Sequence, residues 1–129
     1  MIPVGTKGHA EAVVTKENCA ANVGSGSLDV FATPCMTALM EQAAYTSLLP
    51  FLDAGQGTVG TKLDISHVSA TPVGMKVRAE SEVTDVDGKK ICFRVAAYDE
   101  AGLIGEGVHE RFIISEERFL QKCCAKLEK

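Results

Sequence analysis

One segment restricts the possible folds of this chain more than any other. The stretch from Thr33 to Leu52, TPCMTALMEQAAYTSLLPFL, contains a single charged residue, Glu41. A segment with so little solvating charge must be covered on most sides by the rest of the protein. Its mainly apolar residues recur at helical spacing, which predicts one long central helix. These residues are Met36, Leu39, Met40, Ala43, Ser47 and Leu48.

The ends of this helix have local signals. Thr33 followed by Pro34 predicts a start with threonine as the N-cap and proline as the first helical residue. Pro50 and the glycine-bearing stretch at 53–57 predict the stop.

Outside the helix, apolar and polar residues alternate with period two, which is typical of half-buried strands. Asp87-Gly88 is a hairpin signal, and the charged tail from Ser115 predicts a short C-terminal helix. The predicted strands are His9–Thr15, Thr58–Ala70, Met75–Val86, Ile91–Ala97 and Ile104–Ile114.

This order of elements predicts an α+β architecture, in which one helix is wrapped by an antiparallel sheet built of hairpins. At 129 residues the chain is predicted to form one domain, 1–129. The helix can cover only one face of the sheet, so its remaining apolar surface favours a homodimer.

Charge and cysteine content narrow the functional classes. The net charge of −4 argues against binding to nucleic acid, although a local basic spot would still bind a small anion. We expect no membrane span and no export signal. Five irregularly spaced cysteines favour reduced thiols in the cytoplasm, and their spacing with the histidines predicts no metal site.

A carboxylate and an imidazole are candidates for the chemistry. His67 follows Glu41 by twenty-six residues and shares the parity of Val59, Leu63 and Ile65 on the apolar side of a predicted strand. Such a pair is suited to general acid–base or nucleophilic catalysis. The structural alternatives are a solvent-facing helix glutamate and a core histidine bonded to backbone.

Three separate segments carry a family resemblance: VFATPCMTALMEQA at 30–43, GTVGTKLDISHVSATPVG at 57–74 and GVHERFII at 107–114. In order and spacing they resemble the fluoroacetyl-CoA thioesterase family of the hotdog superfamily. The similarity extends from about Val30 to Phe119. It implies a hotdog fold, in which a curled antiparallel sheet surrounds the central helix.

The resemblance also implies a function and a site. It implies hydrolysis of acyl-CoA thioesters without a cofactor, by a homodimer with active sites at or near the subunit interface. The sequence leaves a tetramer open as the alternative. It carries catalytic roles onto Thr33, Glu41 and His67, and a backbone contact to the acyl group onto Gly60. Arg111 is expected either to pair with a carboxylate or to meet the phosphates of coenzyme A, for which Lys62, Lys76 and Arg78 compete.

The sequence departs from the family before Thr33. The fluoroacetate-specific member has a phenylalanine-bearing lid there, whereas 22–29 reads NVGSGSLD, without an aromatic residue. This departure argues against fluoroacetyl specificity but not against thioester hydrolysis.

The residues leave several roles open. Glu41 can attack the thioester directly or activate water. Thr33 lies eight helical residues before Glu41, a rise of about 12 Å, so the two cannot touch along one regular helix. Either the helix begins later, or they act on different parts of the substrate or across a dimer. Cys35, near the helix start, is an alternative nucleophile. His9 and His109 are predicted to be ordinary surface or strand residues.

Two rival functions use the same scaffold. A non-catalytic acyl-CoA-binding module would bind substrate without releasing thiol. A hotdog hydratase would add water to an enoyl thioester and leave the thioester intact. The Thr33, Glu41 and His67 spacing favours the thioesterase over both.

Overall fold

The computed structural model describes residues 1–128, so only the last residue of the predicted domain, Lys129, lies outside the described part. It consists of five strands, one long helix and shorter helical pieces. The strands are β1 (Lys7–Val13), β2 (Gln56–His67), β3 (Lys76–Asp87), β4 (Lys90–Asp99) and β5 (Gly102–Ser115). The helices are α1 (Ala20–Val23), α2 (Thr33–Leu48) and α3 (Glu116–Cys124), with 3-10 turns at Lys16–Asn18, Leu49–Phe51 and Ala125–Glu128.

The strands form one antiparallel sheet in the order β1-β3-β4-β5-β2. β3, β4 and β5 are joined as hairpins, as predicted. The prediction of hairpins throughout was wrong for β2, which pairs with β5 at the far end of the chain rather than with its successor β3. The eight-residue connection 68–75 carries the chain across the sheet, which a tight turn could not do.

The sheet curls around α2, whose apolar face supplies much of the core. β1 approaches α2 closely at Gly8, where a β-carbon would collide with the carbonyl oxygen of Ala43. A glycine is therefore required there for the helix and strand backbones to pack. The α2 residues with almost no exposed surface are Met36, Leu39, Met40, Ala43, Ala44 and Leu48.

The start of α2 differs from the prediction by one residue. Ala32 is the N-cap, and Thr33 is already the first helical residue, followed by Pro34. The Thr33 side chain makes no capping hydrogen bond. It is consequently free to bond elsewhere. The alternative in which the helix begins well after Thr33 is wrong, because α2 is regular from there to Leu48.

A β-bulge in β2 changes which residues share a face. Gly60 pairs with Arg111 and Lys62 with Glu110, so Thr61 is an extra residue outside the pairing register. Its Oγ1 donates to the Glu110 carbonyl at 3.3 Å. The bulge reverses the alternation. Val59 therefore lies on the outer face, contrary to the predicted parity, while Gly60, like the later Leu63, Ile65 and His67, faces α2.

β2 is also an edge strand, and nothing in the described residues covers its middle. Gly60, Thr61, Lys62, Leu63 and Asp64 are all exposed. An uncovered edge of this length presents unpaired backbone donors and acceptors to any second strand. No helix among residues 1–128 is long and apolar enough to cross a membrane.

Candidate active site

Thr33 and His67 are brought together at the N-terminal end of α2. Thr33 Oγ1 lies 2.7 Å from His67 Nδ1, a hydrogen bond between residues 34 positions apart. The contact forms because β2 ends at His67 beside the first turn of α2. Since Thr33 caps nothing, its hydroxyl is committed to the imidazole instead.

His67 is held neutral at ordinary pH. Partial burial lowers the pKa of its imidazole, and the nearby backbone of Ser69 opposes this only in part. The Nε2 atom is buried and has no hydrogen-bond partner among residues 1–128. An unsatisfied buried nitrogen is costly, so this position favours a group that completes the bond.

A cavity of about 290 Å³ opens beside this pair. Its walls come from the segment before α2 and from the segment that follows β2, and most of them are small side chains. The lining residues are Ala20, Ser25, Val30, Phe31, Thr33, His67, Val68, Ser69 and Ala70.

Glu41 lies two turns further along α2, against the guanidinium of Arg111. Glu41 Oε2 is 3.8 Å from Arg111 Nη1, and the two side chains are 39% and 9% exposed. The glutamate is therefore at the border of the core rather than within it. The arginine is buried, and desolvation lowers its pKa, while the charge of Glu41 and the nearby Tyr45 oppose that change.

Gly60 lies so close to this carboxylate that a side chain would not fit without displacing it. A β-carbon at position 60 would lie 3.0 Å from Glu41 Oε2 and 3.4 Å from Arg111 Nη1. Gly60 is exposed and Glu41 is partly exposed. The glycine thus lets the backbone of β2 approach the carboxylate closely without shielding it from solvent.

His109 completes this group, although its sequence context had predicted an ordinary strand or surface residue. It is 1% exposed and stacks on Phe93. Its Nε2 lies 3.2 Å from Arg111 Nη1, and its Nδ1 lies 2.8 Å from the carbonyl of Lys62. Arginine only donates, so Nε2 accepts and Nδ1–H donates to Lys62.

The same contacts keep His109 uncharged. Burial lowers its pKa most, the bond to the Lys62 carbonyl raises it, and the charge of Arg111 lowers it further. A sequence signal existed: His109 and Arg111 share parity with the inward Ile113 in GVHERFII. Two polar residues on the core side of a strand require partners.

Arg111 is fixed by a second set of hydrogen bonds. Its Nε donates to Thr58 Oγ1 at 2.9 Å and its Nη2 to the Thr58 carbonyl at 3.0 Å. With His109 on Nη1, the guanidinium plane has one orientation. It presents a positive charge to Glu41 without a direct hydrogen bond at 3.8 Å.

The five predicted site residues thus form two groups. Thr33 and His67 touch at one end of α2, and Glu41, Gly60 and Arg111 gather further along. Eight helical residues separate Thr33 from Glu41 by about 12 Å. Gly60 and His67 lie about 20 Å apart along β2. Among residues 1–128 no side-chain hydrogen bond or ion pair joins the two groups.

Cys35 is a poor candidate nucleophile. Burial raises the pKa of its thiol, and the neighbouring Cys19 raises it further. The reactive form of cysteine is the thiolate, which a raised pKa disfavours. The alternative suggested by its position near the start of α2 is therefore not supported.

Comparisons with known proteins agree on one family. The profile of the family described as fluoroacetyl-CoA-specific thioesterase, FlK, matches residues 14–117. The curated fluoroacetyl-CoA thioesterase of Streptantibioticus cattleyicolor is 40% identical over 94 residues, which are 73% of this chain and 68% of that protein.

Solved structures agree as well. A phenylalanine-to-alanine mutant of the fluoroacetyl-CoA-specific thioesterase FlK, solved with fluoroacetate and CoA, superposes with a TM-score of 0.86 at 33% identity, covering 92% of this chain and 99% of that one. A hot-dog-like protein from Thermanaerovibrio acidaminovorans gives 0.87 at 23% identity, covering 97% and 93%. The latter bears on the fold alone, and the predicted hotdog fold is confirmed.

Proposed function

The chain belongs to the fluoroacetyl-CoA-specific thioesterase family, and we propose that Thr33, Glu41 and His67 are the residues with which it hydrolyses acyl-CoA thioesters to a carboxylic acid and free CoA. The observation that carries this assignment is the placement of Glu41 at the border of the core, 39% exposed and 3.8 Å from the buried guanidinium of Arg111. The exposed Gly60 adds no side chain beside Glu41 Oε2, where a β-carbon would come within 3.0 Å. A partly exposed carboxylate beside a fixed cation supports reaction with a thioester carbonyl.

Glu41 can complete the reaction by either of two routes. As nucleophile, its oxygen bonds to the acyl carbon while the C–S bond breaks, and water then cleaves the mixed anhydride and restores the carboxylate. As general base, it removes a proton from the water that attacks, and the proton passes to the departing thiolate. Hydroxylamine distinguishes the two when the modified group is identified, because only an anhydride allows Glu41 itself to become a hydroxamate, whereas the thioester is attacked directly in either case.

Arg111 fits the role of electrostatic support. It is fixed by Thr58 and His109 and stands 3.8 Å from Glu41. A cation held at that distance stabilises negative charge that develops on the acyl group. Because His109 is neutral and accepts from Arg111, it directs the guanidinium without adding a second charge.

We also propose that the complete site forms between two copies of the chain. The uncovered edge of β2 can pair with the same edge of a second subunit around a two-fold axis. Leu63 and Asp64 lie midway between Gly60 and His67. An axis there places the Gly60 end of one strand beside the His67 end of the other.

The side chains near such an axis are complementary. Leu63 is 39% exposed and faces the helix side, so two copies can pack together. Lys62 and Asp64 lie on the outer face. With Leu63 on the axis, each Lys62 opposes the partner subunit's Asp64, an opposite-charge pair of the kind that stabilises antiparallel strands.

In the paired arrangement, His67 stands at the end of β2 that faces the Gly60 end of the partner strand, and its Nδ1 is anchored by Thr33 at 2.7 Å. The imidazole then orients the attacking group or carries a proton, and Thr33 holds it in position.

The cavity beside His67 is the proposed place for the acyl group. Its small lining residues suit a short acyl chain. Between Asn22 and Asp29 the chain carries no aromatic side chain, and the exposed Leu28 is the largest apolar group there. This lining supports hydrolysis of short acyl groups without selectivity for the fluorinated one.

The first experiment is thiol release from a panel of short acyl-CoA esters, including acetyl-, propionyl- and fluoroacetyl-CoA. Hydrolysis that is abolished in Glu41→Ala supports the proposal. Binding without thiol release would instead identify an acyl-CoA-binding module, and loss of enoyl absorbance with the thioester intact would identify a hydratase.

A mixed dimer tests the shared site. When Glu41→Ala and His67→Ala subunits are combined, a site built from two subunits leaves one intact site in each heterodimer. Random mixing then restores roughly a quarter of the wild-type activity. If each subunit holds a whole site, the mixture stays as inactive as its components.

The proposed chemistry needs only these side chains and water, with CoA as part of the substrate. A cytoplasmic location is likewise our proposal. It is supported by five cysteines that form no disulfide among residues 1–128.

A further inference from the structure

Asp99 is a buried carboxylate outside the site described above. It is the last residue of β4 and is 8% exposed. Among residues 1–128 no lysine, arginine or histidine forms an ion pair with it. Aspartate is almost never buried to this degree without a partner. The hydrogen bonds that Asp99 accepts therefore indicate what its burial achieves.

One oxygen of Asp99 closes the turn between β4 and β5. Its Oδ1 accepts hydrogen bonds from the backbone amides of Ala101 at 2.8 Å and Gly102 at 3.1 Å. Aspartate commonly makes such local bonds to the backbone in turns. These two bonds use only one of the two carboxylate oxygens, so the turn alone does not account for the second.

The second oxygen makes a contact with a distant part of the chain. Asp99 Oδ2 accepts a hydrogen bond from Thr71 Oγ1 at 2.7 Å, between residues 28 positions apart. Thr71 is fully buried and lies in the connection 68–75 between β2 and β3. Burial raises the pKa of the Asp99 carboxyl, but the bonds from Thr71 and the turn amides outweigh burial and hold that pKa below its usual value. An ionised acceptor makes each of these bonds stronger than a neutral one would.

Thr71 joins the two walls of the cavity beside His67. Residues 68–70, directly before Thr71, form one wall, and Val30 and Phe31 contribute to the other. The Thr71 carbonyl accepts a hydrogen bond from the Phe31 amide at 2.9 Å. The cavity lining does not include Thr71 itself, whose hydroxyl is bonded to Asp99. Asp99 therefore holds the wall from behind, without reaching the cavity.

The strand that follows the turn holds the same wall at a second point. The backbone amides of Val68 and Ser69 both donate to the Ile104 carbonyl, at 2.7 Å and 3.2 Å. Ile104 lies only two residues beyond Gly102 in the sequence. The wall is thus tied to one short stretch of chain at both of its ends, by the backbone at Ile104 and by the side chain of Asp99.

We infer that Asp99 is a positioning residue for the acyl group, acting through Thr71 to hold residues 68–71 against Phe31. The inference rests on the proposed acyl-CoA hydrolysis, in which this cavity receives the acyl group. Asp99 does not touch the substrate. A wall that is fixed from behind keeps the cavity narrow, so a short acyl group is held in one place. A released wall holds a short group less well and admits a longer one.

The alternative is that Asp99 and Thr71 only stabilise the fold. Destabilisation lowers the amount of folded protein, which reduces the hydrolysis of every ester by the same factor. The ratio of kcat/KM for acetyl-CoA to kcat/KM for butyryl-CoA does not depend on that amount. This ratio therefore separates positioning from stability.

Four variants of the full chain carry the test. Thr71→Val removes the hydroxyl at nearly constant shape, and Thr71→Ser keeps it. Asp99→Asn keeps the shape and removes the charge that strengthens the bond, and it decides the test if Thr71→Val does not fold. Val83→Ala is the control, because Val83 is 1% exposed in β3 and lines no part of the cavity, so its truncation costs stability alone.

We expect the acetyl-to-butyryl ratio to fall at least about fivefold in Thr71→Val and at least about twofold in Asp99→Asn. Thr71→Ser should restore the wild-type ratio. Val83→Ala should unfold at lower urea concentration with its ratio unchanged. A ratio within about 1.5-fold of wild type in folded Thr71→Val or in Asp99→Asn, no recovery in Thr71→Ser, or the same fall in Val83→Ala overturns the inference.

Affinities separate this inference from the proposed function. Calorimetry measures the binding of acetyl-CoA and butyryl-CoA in the Glu41→Gln background, with and without Thr71→Val. If wild type releases no thiol but Thr71→Val shifts the ratio of the two affinities, the thioesterase assignment fails and the positioning role stands. If wild type hydrolyses both esters and Thr71→Val changes neither ratio, the function stands and the positioning role fails.

Discussion

The two polar groups along α2 are built in opposite ways. Around Glu41, the supporting side chains are buried and their donors are used: Arg111 bonds to Thr58 and His109, and His109 bonds to a backbone carbonyl. Around Thr33, a single side-chain hydrogen bond holds His67, and the imidazole Nε2 has no partner in the described chain.

This difference indicates which end is complete within one subunit. The Glu41 group is preorganised by strands β2 and β5, so its charges are oriented before substrate arrives. The His67 group ends at a loop and a cavity, and one of its hydrogen bonds is still to be made. In our proposal, a partner subunit and the substrate complete this end of the site.

The largest effect on the rate is expected at Glu41. Glu41→Gln keeps the shape but removes the charge that we propose as nucleophile or base, so kcat should fall by about 10²–10⁴-fold. Thiol release from acetyl-CoA measures it. The exposed Glu17→Gln is the control and should behave like wild type. Activity near wild type in Glu41→Gln would place the reacting group elsewhere.

The next largest effect on the rate is expected at Thr33, which bonds to His67. Thr33→Val removes the hydroxyl that anchors His67 Nδ1, and we expect kcat to fall by about tenfold, the equivalent of one lost hydrogen bond of about 1.4 kcal/mol. Thr33→Ser keeps the hydroxyl and should retain most activity. Equal loss in both variants would indicate that the methyl group matters, rather than the bond to His67.

A smaller effect on rate, with a larger one on stability, is expected at His109. His109→Leu leaves Arg111 Nη1 buried without its acceptor, which should destabilise the fold by about 1–3 kcal/mol in urea denaturation. His109→Gln offers an amide oxygen to the same donor and should recover part of the loss.

The rate separates positioning by His109 from structure. If His109 acts through Arg111, kcat should fall in His109→Leu with little change in KM and recover in His109→Gln. A uniform loss of folded protein without a change in kcat per folded molecule would mean that His109 serves stability alone.

The smallest expected effect is a pH dependence of the unfolding free energy, to which both His67 and His109 contribute. Burial lowers the pKa values of His67 and His109 below the unfolded value of about 6.5. Between each lowered folded-state pKa and the unfolded value, the unfolded chain therefore binds more protons than the folded chain. The unfolding free energy should consequently fall as pH drops below about 6.5. Urea titrations across this range measure it. His109→Gln should flatten the slope, and an unchanged slope would exclude His109 as its source.

The fold was largely predictable because its signals are local. The helical spacing from Met36 to Leu48 and the period-two segments after it placed the long helix and all five strands within a few residues. Which strands pair with one another was harder to predict from the sequence. β2 joins β5 rather than β3, because pairing depends on which edges meet when the sheet curls, and no short-range pattern encodes that.

The candidate site shows the same division. The sequence showed that Glu41 is the only charged residue of its segment. The segments that resemble the family assigned Gly60 and Arg111 to the same predicted site. Thr33 looked like a helix cap, and His109 looked like an ordinary strand residue. Both errors arose because a polar side chain's partner is set by contacts far along the chain, 34 positions away for Thr33 and 47 for His109.

The sequence by itself determined the central helix, the alternation of the strands and the single charge at Glu41, since each depends on neighbours within a turn or two. Only the tertiary structure decided the bulge at Thr61, which turns Gly60 toward Glu41, and the bond that holds His67. The physical reason is that side-chain direction after a bulge, and the partner of a buried polar atom, follow from long-range packing rather than from periodicity.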